Sequence, residues 1–273
     1  MDVGLFDHAF MRNALAAGAL AGICCALAGV FAVLMRLTFI GVCLAHAAFA
    51  GGLAALLAGI DPMAGAFAAS LLAAAGIGPL ADRGDVSPDT AIGIMFSAML
   101  GLAILCLGLL PGPKSEALSL FWGNILTVSR RDVLALAGIA AAAVLLVTLF
   151  FKEIQAVACH REVALAAGLP ATAIFYAILL FTGCTVTACL PSVGGLLVYS
   201  LIVNPAAAAY QLTYRLRTMF WLAAGFGVLS CECGLLAAWV WDLPAGAAIV
   251  LASSLVFLIA AAVSPKRRNA RTR

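Results

Sequence analysis

The sequence predicts an all-α fold, a polytopic transmembrane helical bundle of about eight or nine spans in a single domain covering residues 1–273. Three observations carry that expectation. Hydrophobic residues make up 65% of the 273 positions and charged ones only 10%, with a mean hydropathy of +1.16. A soluble domain carries about a quarter charged residues, so this composition requires lipid as solvent. Apolar runs follow one another with short polar breaks, each near the roughly 20 residues that a helix needs to cross about 30 Å of hydrocarbon. The runs do not alternate apolar and polar residues at every second position, as the strands of a membrane barrel do.

In chain order the spans fall near residues 9–35, 37–59, 62–81, 88–110, 132–151, 171–190, 191–209, 217–240 and 244–263. Ser115 to Ser129 is shorter and mixed, and reads as an interfacial or re-entrant piece. Met1 to Arg12 holds two aspartates and no basic run, so a cleaved signal peptide is not expected.

Charge gives the orientation. With nine spans and a cytoplasmic C-terminus, the inner side holds Arg36, Arg83, Lys152, Arg161, Arg215 and Arg217. Lys266, Arg267, Arg268, Arg271 and Arg273 of the tail, residues 264–273, join them there. The outer side holds only Arg12, Lys114, Arg130 and Arg131. This imbalance follows the positive-inside rule and places the N-terminus outside. A basic tail directly after a span is a topology anchor that attracts anionic lipid head groups, and no nucleic-acid partner is expected.

Eight of the nine cysteines (Cys24, Cys25, Cys43, Cys106, Cys184, Cys189, Cys231 and Cys233) fall within apolar spans, where free cysteine packs as a small hydrophobe. The helices are rich in Ala and Gly, as in Gly18-Ala-Leu-Ala-Gly22. Small residues let helix backbones approach closely in lipid. No internal repeat, soluble domain or Gly-x-x-x-x-Gly-Lys-Ser/Thr loop is present, so nucleotide hydrolysis is not expected on this chain.

Polar residues inside the spans are the functional candidates, because they are expensive in hydrocarbon unless they face protein, water or an ion. His46 lies in the second span, with Cys43 three residues before it and on the same helical face. It is either a pathway residue or a core histidine hydrogen-bonded to a neighbouring carbonyl. Cys231-Glu232-Cys233 is embedded in the span that begins at Arg217. Neighbours two apart do not share a helical face, so this triplet cannot ligate one ion by itself.

Five motifs, in order and nearly end to end, resemble the membrane permease of zinc/manganese/iron-type ABC importers. They are Arg36, Gly41, Leu44-Ala45-His46-Ala47 and Gly51; Asp89-Thr90-Ala91-Ile92-Gly93-Ile94-Met95; Arg161-Glu162-Val163-Ala164-Leu165-Ala166-Ala167-Gly168-Leu169-Pro170; Val193-Gly194-Gly195-Leu196-Leu197-Val198 running into Pro205-Ala206-Ala207-Ala208-Ala209; and Asp242-Leu243-Pro244-Ala245-Gly246-Ala247. The resemblance implies a multi-pass inner (plasma) membrane protein that forms a two-fold homodimer with a pathway along its axis. It implies two ABC ATPase subunits inside and a periplasmic or extracellular metal-binding protein outside. The cargo would be a divalent transition metal, and no cofactor would be bound permanently. The segment near 152–170 would couple to the ATPase through Arg161, Glu162, Ala166 and Gly168. A short helix ending at Gly168 and Pro170 suits that role, since glycine and proline stop helices in this arrangement.

The sequence departs from the family pattern at three places. An aspartate is usual four residues before the histidine, where this chain has Val42. Imidazole and thiolate suit zinc while carboxylates suit manganese, so zinc is the favoured cargo, with manganese and iron as further candidates. Glu232, with Cys231, either replaces the missing pathway carboxylate or lies solvated near the membrane edge. Asn204 and Tyr210 replace the usual aliphatic residue and arginine; Asn204 either caps backbone groups freed by Pro205 or lines the pathway. A secondary transporter is the nearest rival, but such folds show internal repeats. An intramembrane metalloenzyme would need a ligand cluster such as His-Glu-x-x-His, and this chain has only three histidines. A metal chelate as cargo stays open.

Overall fold

A computed structural model describes residues 9–84, 86–111, 114–159 and 161–266. In order, the helices are α1 (Ala9–Leu34), α2 (Ile40–Leu57), α3 (Pro62–Gly84), α4 (Pro88–Leu109), α5 (Ser115–Trp122), α6 (Arg130–Leu149), α7 (Phe151–Cys159), α8 (Arg161–Ala166), α9 (Ala171–Val193), α10 (Gly195–Leu212), α11 (Leu216–Trp241) and α12 (Ala245–Ala262), with a 3-10 turn at Ile125–Thr127 after α5. Among the described residues nine helices are long and apolar enough to cross a membrane: α1 to α4, α6, and α9 to α12. The nine spans match the sequence boundaries closely. The eight-residue α5 is too short to cross and packs against α2 and α9, as the mixed Ser115–Ser129 segment suggested.

Local chemistry sets the helix ends. Ser87 caps α4, its hydroxyl accepting the Thr90 N–H at 3.1 Å, and Pro88 fills the first turn where no donor is needed. Ser129 and Asp132 form a reciprocal capping box at α6. The α1–α2 turn closes with the Leu37 N–H on the Ala32 carbonyl at 2.7 Å and holds Arg36 at φ 57, a left-handed conformation that strains a non-glycine residue. Prolines lie inside α3, α9 and α10, as transmembrane helices tolerate; Pro191 stands in the last turn of α9, where its own carbonyl accepts the Asn124 N–H at 3.3 Å.

The two ends of the bundle are chemically distinct. At one end Phe220 packs edge-on against Phe31 (5.3 Å) and Phe151 (6.4 Å), and the Arg217 guanidinium lies 5.8 Å over the Phe151 ring. There too the Lys266 ammonium sits over the rings of Tyr210 (3.6 Å) and Tyr214 (4.7 Å), and partial burial lowers its pKa. At the other end the Asn13 amide donates to the Val128 carbonyl at 3.3 Å. The helices alternate direction between these ends. The positive-inside rule would place the cation-rich end, called the inner end below, in the cytoplasm. The side chain of Arg83 and residues 267–273 lie outside the described residues.

Helices α1 and α2 form the centre, each 72% buried over its most apolar stretch, whereas α4 is 17% buried and stands at the periphery. Burial of apolar area does not drive helix association in lipid, so fit decides which helices meet. Gly22 of α1 faces Gly227 of α11 so closely that a Cβ on either would strike the other's carbonyl. Gly18, one turn away, rests on Cys231 and Leu235. The small-residue run read from the sequence is therefore the α1–α11 crossing.

Candidate functional site

The α2 helix carries His46 a third of the way along its length from the inner end. Its Nδ1 lies 2.9 Å from the Val42 carbonyl. A carbonyl only accepts, so Nδ1 is the donor, and in the Nδ1–H tautomer the lone pair is on Nε2. The ring is half-buried and walled by two aromatics, Phe96 of α4 at 5.0 Å and Phe121 of α5 at 4.9 Å. Phe121 also stacks on Phe49 at 5.0 Å and lies against Gly195. The α5 helix thus closes over His46 from the outer side. Its approach depends on Gly194, which adopts φ 86 and comes so close to the Trp122 carbonyl that no side chain fits there. The carbonyl bond expected of a core histidine is present; it also fixes the ring and leaves a metal-binding nitrogen bare, as in ligating histidines.

The other pathway candidates are dispersed. Cys43, three residues before His46 on α2, is fully buried in the central core. Cys231 is fully buried where α11 meets α1, against Gly18. Glu232, next to it, is half-buried on α11, which packs chiefly against α1, α12 and α10, whereas α2 packs chiefly against α3, α4, α9 and α10. The fold does not bring Glu232 to His46 within one chain. Among the described residues no group of three or more His, Cys, Asp or Glu side chains is placed to hold a metal. The eight cysteines with described side chains are free thiols, and Cys25 and Cys189 approach to 3.9 Å between sulfurs.

Asn204 joins a polar cluster between α10 and α12. Its Nδ2 reaches the hydroxyls of Ser200 (3.1 Å), Ser253 (2.9 Å) and Ser254 (3.2 Å). Ser253 and Ser254 donate in turn to the Val250 carbonyl at 2.8 and 2.9 Å. The contacts shown for this amide are side-chain hydroxyls, a polar tie across two helices in a medium with no water to compete. Tyr210 contributes a ring beneath Lys266.

At the inner end α7 and α8 form the segment before α9. Gly168 at φ 79 ends α8: the Leu169 N–H bonds the Ala164 carbonyl and the Gly168 N–H the Leu165 carbonyl, both at 3.0 Å. Pro170 then precedes α9. Ala164 is buried against Val157 and Ala171, while Val163 (66%) and Leu165 (46%) are exposed and Ala166 faces outward with them. The side chains of Arg161 and Glu162 lie outside the described residues. Sequence reasoning found His46 but not Phe96 or Phe121, and found Asn204 but not its serines. An aromatic residue or a serine in an apolar span carries no sign of its neighbour; Ser253-Ser254 in the last span was the one available hint.

The family model described as the ABC 3 transport family matches residues 7–264. The chain is 33% identical over 263 residues to the manganese transport system membrane protein MntC of Halalkalibacterium halodurans, covering 96% of this chain and 90% of that one. It is 29% identical over 258 residues to a protein described as a probable iron transport system membrane protein of Haemophilus influenzae, covering 94% and 95%. Among solved structures, PsaBC from Streptococcus pneumoniae in complex with Fab superposes with a TM-score of 0.85 at 30% identity, over 97% of this chain and 95% of that one. An inward-facing metal-chelate type ABC transporter shares the fold, with a TM-score of 0.70 at 13% identity over 92% and 85%. With the family model matched over nearly the whole nine-span bundle and relatives alike end to end, the chain belongs to the ABC 3 transport family of metal-type importer permeases.

Proposed function

We propose that this permease moves a divalent transition metal inward as half of a homodimer, past His46, powered by separate ATPase subunits and supplied by an external metal-binding protein. The observation that supports this reading best is the His46 imidazole, anchored through Nδ1 with Nε2 bare. Nitrogen donors suit zinc, and Val42 removes the hard oxygen that would favour manganese, so zinc leads. Manganese and iron stay in the assay because relatives bear those names. The segment of α8, whose Val163, Leu165 and Ala166 are exposed and which ends at Gly168, is the proposed seat of the ATPase, with Arg161 and Glu162 as the charged contacts. Glu232 and Cys231, remote from His46 within one chain, serve the pathway only through a dimer or a second conformation.

The test is accumulation of zinc, manganese and iron in cells lacking the chain, rescued by wild type or by His46→Ala. Wild type should restore one metal, and His46→Ala should fall short by at least about tenfold, the usual scale for disturbing a metal ligand's environment. Normal accumulation of all three without the chain would sink the reading. A metal chelate is the second reading, favoured by the aromatic walls of Phe96 and Phe121, since a chelate brings its own ligands. Uptake only of a chelated metal, with free ions excluded, would select it.

A further inference from the structure

A groove of about 410 Å³ runs between α1, α6 and α11 at the inner end of the bundle. Its walls are apolar, formed by Ile23 and Leu27 of α1 and Val144 and Val147 of α6. Along α11 it extends from Arg217 to Ala224, roughly 10 Å of helix rise, so it reaches from the inner boundary into the hydrocarbon layer. Trp221 lines the outer lip and is 64% exposed. One end alone carries charge. The Arg217 guanidinium lies 5.8 Å over Phe151, and no carboxylate among the described residues pairs with it. Lys152 and Arg215 are exposed in the same inner region, with Glu153 the single acidic residue beside them in sequence.

An apolar slot that ends at Arg217, a cation with no carboxylate partner among the described residues, has the polarity of one kind of occupant. We propose that this groove binds an anionic phospholipid of the inner leaflet, with an acyl chain against Leu27, Val147 and Phe220 and its phosphate at Arg217. Guanidinium presents a planar fork of donors that matches phosphate oxygens. Basic pockets between transmembrane helices on the cytoplasmic side are where anionic head groups gather. A zwitterionic lipid carries its own cation into the same cluster and binds less well. The proposal rests on the inward orientation of this end and not on which cargo the permease carries.

Native mass spectrometry of the full chain, released from a non-ionic detergent after titration with phosphatidylglycerol or phosphatidylcholine, tests it. Phosphatidylglycerol should be retained in preference to phosphatidylcholine. Arg217→Gln should lower phosphatidylglycerol retention about fivefold, the effect of one cation at a membrane surface, and Arg217→Lys should keep most of it. Ala224→Phe, which fills the slot without touching charge, should lower retention of both lipids. Equal retention of the two lipids by wild type, or unchanged retention by Arg217→Gln, overturns the proposal. So does an Ala224→Phe chain that changes oligomeric state while keeping its lipid, which would make this face a contact between copies. If Ala224→Phe does not fold, the Arg217 pair decides alone.

Discussion

With Nδ1 committed to the Val42 carbonyl, the imidazole of His46 offers a single lone pair, on Nε2, to whatever passes. Its immediate surroundings, Phe96 and Phe121, supply shape and no charge. The Val42 side chain lies one turn before His46 on the same face, so Val42→Asp places a carboxylate beside the imidazole without disturbing the backbone bond. Hard oxygen donors favour manganese, so the expected outcome is a rise in the manganese-to-zinc uptake ratio in the isotope assay. An unchanged ratio would show that position 42 does not face the ion. The histidine was legible in the sequence because a lone imidazole stands out in an apolar span. Its aromatic walls were not, since Phe96 and Phe121 come from elements 50 and 75 positions away and look like any other apolar residue there.

Helix ends and helix crossings hold separate tests. The left-handed conformation of Gly168 ends α8, and a Cβ there costs about 1–2 kcal/mol. Gly168→Ala should therefore loosen the inner segment and reduce coupling. Faster amide exchange across residues 161–169, with lower transport per ATP hydrolysed, would record it, and unchanged exchange would contradict it. Where α1 crosses α11, Gly227 lies against the Gly22 carbonyl. Gly227→Val should force the helices apart at about 1–3 kcal/mol, seen as a lower unfolding temperature in detergent. An unshifted transition would mean that the crossing relaxes freely. Gly168 and Gly22 stood out in the sequence and Gly227 did not: the chain has 26 glycines, and only the fold shows which sit at a left-handed turn or a backbone contact.

Across the whole molecule the alternating helices place the α2–α3 turn on the outer side and the α10–α11 turn on the inner. In intact cells a membrane-impermeant thiol reagent should label Ile60→Cys, whose position is 60% exposed. Tyr214→Cys, at a position 71% exposed, should react only after permeabilisation. The reverse pattern would invert the orientation and with it the inner-leaflet site. Composition and run length by themselves determined the solvent and a count of eight or nine spans, because bilayer thickness acts on each segment separately. Ordered motifs added the family. The tertiary structure alone decided which residues meet: His46 with Phe96 and Phe121, Asn204 with three serines, and Glu232 away from His46. The physical reason is that these helices are apolar on nearly every side, so no periodic pattern marks the face that packs. In lipid, partners are chosen by the shape fit of small residues and by a few hydrogen bonds, which exist only once the helices are assembled.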